Sequence, residues 1–271
     1  MEHVEYSSGQ YPIQHRKGEV ERLKAQDTAL SESTIRLLKS IGVASGWKCL
    51  DLACGPEGIT HYLLELVGSS GQVTGLDGDE EFLAIARADA PDNCEFILGD
   101  AYATGLPDKT FDLVHLRFLA STAGSPEKLV GEAVRLVAPG GVVATQEADF
   151  HTLKCYPEHP AWRELADIFV ACFPDGSSDP IAHRLYRLLM RAGLEDVCYN
   201  PVLIGTRAQD AWRDYMPSTV ESMKKRIIDD LGVPKAHLEK LIADVREHLS
   251  HPETVWTFNS VIQTWGRMPS T

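Results

Sequence analysis

The stretch Trp47-Lys48-Cys49-Leu50-Asp51-Leu52-Ala53-Cys54-Gly55-Pro56-Glu57-Gly58-Ile59-Thr60 decides the fold. It reads as a buried strand ending in a small-residue turn that runs straight into a helix. Gly55 and Gly58 lack a Cβ, so a ligand can approach the backbone there, and the free N–H groups of a helix start favour an anionic or strongly polar group. Alone the signal is weak, because the G-x-G-x-x-G spacing is met only as Ala53-x-Gly55-x-x-Gly58, with the first glycine replaced.

Two further strands sharpen it. Val73-Thr74-Gly75-Leu76-Asp77 reads as a second short strand, ending in an acid about 20 residues past the glycines, where a carboxylate can grip ribose hydroxyls. Cys94-Glu95-Phe96-Ile97-Leu98-Gly99 reads as a third, followed by Asp100. Three successive strands thus finish in small or acidic residues at the edge where ligands bind in doubly wound folds. Together, Leu50-Asp51-Leu52-Ala53-Cys54-Gly55-Pro56-Glu57-Gly58, Gly75-Leu76-Asp77 and Gly99-Asp100-Ala101 resemble the first three motifs of class I S-adenosylmethionine-dependent methyltransferases. The resemblance continues through Leu106-Pro107-Asp108-Lys109-Thr110-Phe111-Asp112-Leu113-Val114 and Leu136-Val137-Ala138-Pro139-Gly140-Gly141. Ala53 departs from the family's usual first glycine, and Glu57 stands where a small residue is common. Glu57 suits a helix N-terminus electrostatically but could narrow the room beside the cofactor's amino-acid end.

The resemblance implies an α/β, doubly wound, Rossmann-like seven-stranded sheet in the order 3-2-1-4-5-7-6, with the last strand antiparallel. It divides the chain into N-terminal lid helices (1–44), a cofactor-binding core (45–150), and a remainder (151–271) holding the last two strands and helical substrate-cap insertions. It also implies S-adenosyl-L-methionine as cofactor. Asp77 would take the ribose hydroxyls, backbone around Ala53 and Gly55 would face the methionine portion, and Asp100-Ala101 would hold the adenine. Asp51, Cys54, Gly78 and Arg117 belong to the same expected set. Tyr11, Arg22 and Gln26 resemble the aromatic, arginine and glutamine that the lid of small-molecule methyltransferases turns to the cofactor. Arg22 and Gln26 equally fit a solvated helix face, and Arg117 equally fits a substrate carboxylate or solvent.

Patterning fills in the other elements. The apolar residues between Val20 and Ile41 fall at loosely helical spacings and suggest two helices over 19–41. Further helices are expected over 57–67, 79–90, 126–137, 157–173 and 181–192, and strands over 111–116, 141–146, 197–204 and 254–264. Residues 208–250 read as largely helical, interrupted at Pro217 and at Gly232-Val233-Pro234.

At 271 residues the chain suits one large α/β domain with insertions. A formal net charge of -13 repels phosphate backbones and anionic membranes, which argues against a nucleic-acid partner. Six scattered cysteines without a C-x-x-C pair fit reduced thiols rather than a disulfide frame or zinc site. No signal-like leader opens the chain, and no apolar run approaches the roughly 18 residues of a membrane span, so a soluble cytoplasmic protein is expected.

For chemistry, His115 at the carboxyl end of the fourth strand is the first candidate base, since a neutral imidazole accepts a proton near neutral pH. Its alternative is a histidine hydrogen-bonded within the strand. Glu147, Asp149 and His151 follow the fifth strand at spacing two and, if the strand persists, project from one face. They could join His115 as a base with its orienting carboxylate; a loose divalent-metal site is disfavoured, and no metal is expected. Trp162, Phe169, Phe173, Tyr186, Trp212, Tyr215 and Trp256 line a pocket for a ring-bearing substrate or simply pack cap on core. The cap helices could equally form a homodimer interface.

The expected activity is methyl transfer to an O, N or C nucleophile of a small molecule. The asparagine-proline-proline-aromatic signature of many amino-group methyltransferases is absent after Val114. One rival is a protein that keeps the cofactor pocket for a non-methylating cyclisation or a regulatory role. The other, an NAD(P)-dependent oxidoreductase, is opposed by the missing first glycine, the further acid at Asp100 and the lack of a Tyr-x-x-x-Lys pair.

Overall fold

The structure, a computed structural model, describes residues 19–56, 58–173 and 179–270; Tyr11 and Glu57 lie outside the described residues. The chain runs α1 (Glu19–Ile41), β1 (Lys48–Leu52), α2 (Thr60–Val67), β2 (Gln72–Asp77), α3 (Glu80–Arg87), β3 (Cys94–Leu98), β4 (Phe111–Arg117), α4 (Ala120–Ala123), α5 (Pro126–Leu136) and β5 (Val137–Asp149). It continues through β6 (Lys154–Tyr156), α6 (Pro160–Ala171), α7 (Ile181–Arg191), β7 (Glu195–Val202), β8 (Gly205–Arg207), α8 (Tyr215–Ser222), α9 (Lys224–Asp230), α10 (Lys235–Ser250), β9 (Val255–Thr257) and β10 (Ser260–Arg267).

Seven strands make one sheet in the order β3-β2-β1-β4-β5-β10-β7. Pairing is parallel from β3 to β5, and β10 runs antiparallel to both β5 and β7. With β7 as the sixth main strand and β10 as the seventh, this is the expected order. The central strands are buried on both faces, so side chains alternate between two apolar layers. Leu50, Leu52, Val114, Leu116 and Val143 pack with α5 and α7 residues such as Leu129, Ala133, Leu185 and Leu189. Cys49, Leu113, Val142 and Ala144 pack with Leu37, Leu38 and Ile41 of α1 and Leu63 and Val67 of α2.

The cap has an apolar core of its own, built from α6, α8, α9 and α10 around Trp162, Leu165, Phe169, Met216, Leu241, Val245 and Trp256. A three-stranded antiparallel sheet, β6-β9-β8, stitches it to the end of the main sheet.

Several boundaries differ from the sequence reading for local reasons. Residues 19–41 form one helix, because no glycine or proline interrupts them. Pro217 lies in the first turn of α8, where a missing N–H costs nothing, so it starts a helix instead of breaking one. The strand expected over 254–264 is split at Phe258-Asn259 into β9 and β10, which join different sheets.

Candidate cofactor and active site

A cavity of about 720 Å³ opens at the carboxyl edge of β1, β2 and β4. Its floor is the turn after β1, where Ala53, Gly55 and Gly58 all take positive φ (63°, 60° and 49°). Gly58 is obligatory on space as well. A Cβ there would meet the Asp51 carboxylate at 2.3 Å and the Cys54 carbonyl at 2.6 Å, and that carbonyl is backbone that cannot move aside. Around Gly55 the space is open, so a ligand can lie against the peptide.

Two carboxylates hold this turn in place. Asp51 Oδ2 accepts the Ile59 N–H at 2.9 Å, tying the start of α2 to β1. Asp77 accepts from Gly55 N–H at 2.7 Å and from Asp79 N–H at 3.0 Å, so the tip of β2 grips the glycine turn. Burial pushes the Asp77 carboxyl up, against the lowering effect of those two N–H groups. Cys54, also in the wall, is 3% exposed, and burial beside Asp51 and Asp77 raises its thiol well above the ordinary range. Asp100 accepts the Tyr102 N–H at 2.9 Å and lines the far end with Ala101.

Helix α1 forms the opposite wall through Leu23, Gln26 and Asp27. Arg117, at the end of β4, reaches under it to ion-pair with Asp27 at 2.8 Å and donates to the Gly58 carbonyl at 3.2 Å. Its other terminal nitrogen, Nη1, is buried with no hydrogen-bond partner. A buried, unsatisfied guanidinium N–H in a cavity wall asks for an anionic ligand group. Asp27 also accepts from the Tyr62 hydroxyl at 2.9 Å, and burial with this contact pushes that phenol up to about 12. The sequence reading missed Asp27, although its place directly after Gln26 on α1 pointed to it.

Of the expected cofactor set, Gln26, Asp51, Ala53, Cys54, Gly55, Asp77, Gly78, Asp100, Ala101 and Arg117 all line this cavity. Arg22 does not. It is buried in a bidentate pair with Glu19 (2.7 and 2.9 Å), donates to Gln26, and faces a narrow crevice beside the cavity.

The expected catalytic group is dispersed, as corrections to the sequence reading. His115 is fully buried and lies outside the cavity wall. It bridges Asp51 Oδ1 (3.2 Å) and the Gln146 amide (3.1 Å), and Gln146 in turn donates to Thr34 of α1. Alternation explains the rest: Gln146 shares the α1 face of the sheet with His115, whereas Glu147 and Asp149 point to the other face. Glu147, fully buried, collects the N–H groups of Leu119, Ala120 and Ser121 and the Ser121 hydroxyl at the start of α4. Asp149 meets His183 of α7 at 3.1 Å, and His151 is exposed in a turn, donating its N–H to Asp149. Among the described residues, no group of three His, Cys, Asp or Glu side chains could hold a metal ion.

A doubly wound sheet with a glycine-floored cavity at its carboxyl edge and an acid at the tip of β2 defines a protein that binds a nucleoside-bearing cofactor. The comparisons narrow the class. The family described as "Methyltransferase domain" matches residues 50–145. The chain is 34% identical over 127 residues to a demethylmenaquinone methyltransferase of Staphylococcus aureus, a match covering 45% of this chain and 52% of that protein. It spans about half the length of the curated relatives it matches. Among solved structures it is similar to a Haemonchus contortus phosphoethanolamine N-methyltransferase 2 in complex with S-adenosyl-L-methionine (TM-score 0.55, 14% identity, 90% of this chain and 56% of that one). It is also similar to the [4+2]-cyclase SpnF (TM-score 0.55, 16% identity, 99% of this chain and 89% of that one). Residues 50–145 thus match a methyltransferase domain, and the fold around them is shared with the solved methyltransferase and cyclase structures.

Proposed function

We propose that the protein transfers a methyl group from S-adenosyl-L-methionine to an O, N or C nucleophile of a small molecule by in-line displacement. One observation carries this reading: a single cavity is lined by an acid where a ribose would lie, an open glycine turn, and an arginine with an unsatisfied N–H. These residues fit the cofactor. Asp77 keeps lone pairs for ribose hydroxyls, Gly55 leaves room at the peptide, and Arg117 Nη1 suits a carboxylate. When bound, the cofactor supplies a methyl group on a positively charged sulfur.

The chain's own contribution is positioning and exclusion of water. Asp27, Asp51, Asp77, Asp79 and Asp100 in the cavity wall each accept a hydrogen bond from the protein, which fixes their orientation toward a bound ligand. Phe118, Leu119 and Ala123 close the side nearest β4 with apolar surface. Alignment and desolvation of the nucleophile are then the main sources of rate.

Calorimetric titration with S-adenosylmethionine, S-adenosylhomocysteine and NADH, followed by a labelled-methyl screen of metabolites, tests the reading. Binding of the first two alone, with S-adenosylhomocysteine released in step with product, is expected. NADH binding alone would overturn it. The similarity to a cyclase makes S-adenosylhomocysteine release the deciding readout, since product without it would mean cyclisation or another non-methylating reaction.

A further inference from the structure

Resting on the methyl-transfer reading, we propose that Asn259 recognises the acceptor substrate, and that the acceptor presents to it an uncharged head with a hydroxyl or N–H beside a carbonyl. Asn259 sits in the two-residue link between β9 and β10 and is 1% exposed. Neither its Oδ1 nor its Nδ2 has a hydrogen-bond partner. A buried primary amide with donors and acceptor both unmet is costly, and a ligand that completes it removes that cost. Asn259 lines the crevice beside the cofactor cavity, and the two spaces share Gln26, Phe118 and Thr122 in their walls.

The crevice defines what fits. Its free space is about 20 Å³, roughly one water, so only the polar tip of an acceptor head reaches into it while the rest of the acceptor lies in the larger cavity. Its walls are rings: Phe150 and Phe173 stack at 4.4 Å, and Tyr215 meets Phe258 edge-on at 4.8 Å. Among the described residues, the one charged group in the wall, Arg22, is neutralised by Glu19, and no carboxylate lines the crevice. A charged head of either sign would be desolvated there without a free counter-charge, because the guanidinium is already paired with Glu19 and no carboxylate lines the crevice. An amide pairs best with a donor and an acceptor side by side.

The test uses the full chain saturated with S-adenosylhomocysteine and titrated with salicylamide, with benzyltrimethylammonium as the cationic control. Wild type is expected to bind salicylamide and not the cation. Asn259→Leu and the smaller Asn259→Ala should each lose about tenfold or more in salicylamide affinity while holding S-adenosylhomocysteine within about twofold. Free of probe, Asn259→Leu should melt about 2–6 °C higher than wild type, because an unmet buried amide is removed. Unchanged salicylamide affinity in both variants, a lower melting temperature for Asn259→Leu, or preference for the cation would overturn the proposal. Failure of wild type to bind S-adenosylhomocysteine would instead sink the methyl-transfer reading; cofactor binding without salicylamide binding would sink this one alone.

Discussion

Ala53 holds a left-handed backbone, φ 63°, at the position where the family's motif usually has glycine. The strain of a Cβ there is about 1–2 kcal/mol, partly offset because alanine leaves less chain entropy to lose. Ala53→Gly should therefore gain about 0.5–1 kcal/mol in urea unfolding. Asp77→Asn keeps the side chain's size but removes its charge and one acceptor; cofactor affinity should fall by about tenfold or more in calorimetry. His115→Ala strands Asp51 and Gln146, so about 2 kcal/mol of stability should be lost while turnover well below the melting temperature changes little. A selective collapse of turnover would restore His115 as a base. Glu147 offers a test by pH. Burial holds its carboxyl above the ordinary 4.5, against the lowering pull of Ser121, Ala120 and Leu119. The folded state then takes up the proton more readily than the unfolded one, so the group's contribution is fullest below pH 4.5 and is lost as pH rises through the raised value. The stability of wild type relative to Glu147→Gln should fall as pH rises from about 4; a rise would mean the hydrogen bonds outweigh burial.

Among the elements, α1 joins the two cores. Leu30 is fully buried in the cap cluster, while Leu37, Leu38 and Ile41 two turns later belong to the sheet cluster, and Gln26 and Asp27 between cap and cavity face the site. Leu30→Ala should cost about 2–5 kcal/mol and weaken cofactor binding, since the wall carrying Asp27 loses its anchor. Core strands were legible because β1, β4 and β5 are apolar on both faces and end in turn residues. Proline position was not: a residue such as Pro217 breaks a helix from its interior and starts one from its first turn, and only the fold says which. The site divides the same way. Residues on the turn itself, such as Gly55 and Asp77, follow from spacing, whereas the fate of His115 depends on which face of β4 meets α1, a register that one strand's sequence does not contain. Asn259 carried no signal at all, because a lone asparagine between two strands reads as a turn.

At the scale of the molecule, the proposed cofactor should protect the whole chain. A ligand at a hundred times its dissociation constant adds about 2.7 kcal/mol, or about 5–10 °C in melting temperature for a chain of this size, and S-adenosylhomocysteine should do this where NADH does not. If the proposed function holds, the position of Cys54 bears on how the protein survives its own reagent. A sulfur nucleophile in the wall of a cavity that stores an alkylating agent is a hazard, since a thiolate attacks where a thiol does not. Burial between Asp51 and Asp77 keeps Cys54 protonated, and the same two acids that shape the glycine turn thereby silence it. The intact mass of the protein should not change after long incubation with S-adenosylmethionine; under the proposed function, a resting protein could then keep its reagent loaded without consuming itself.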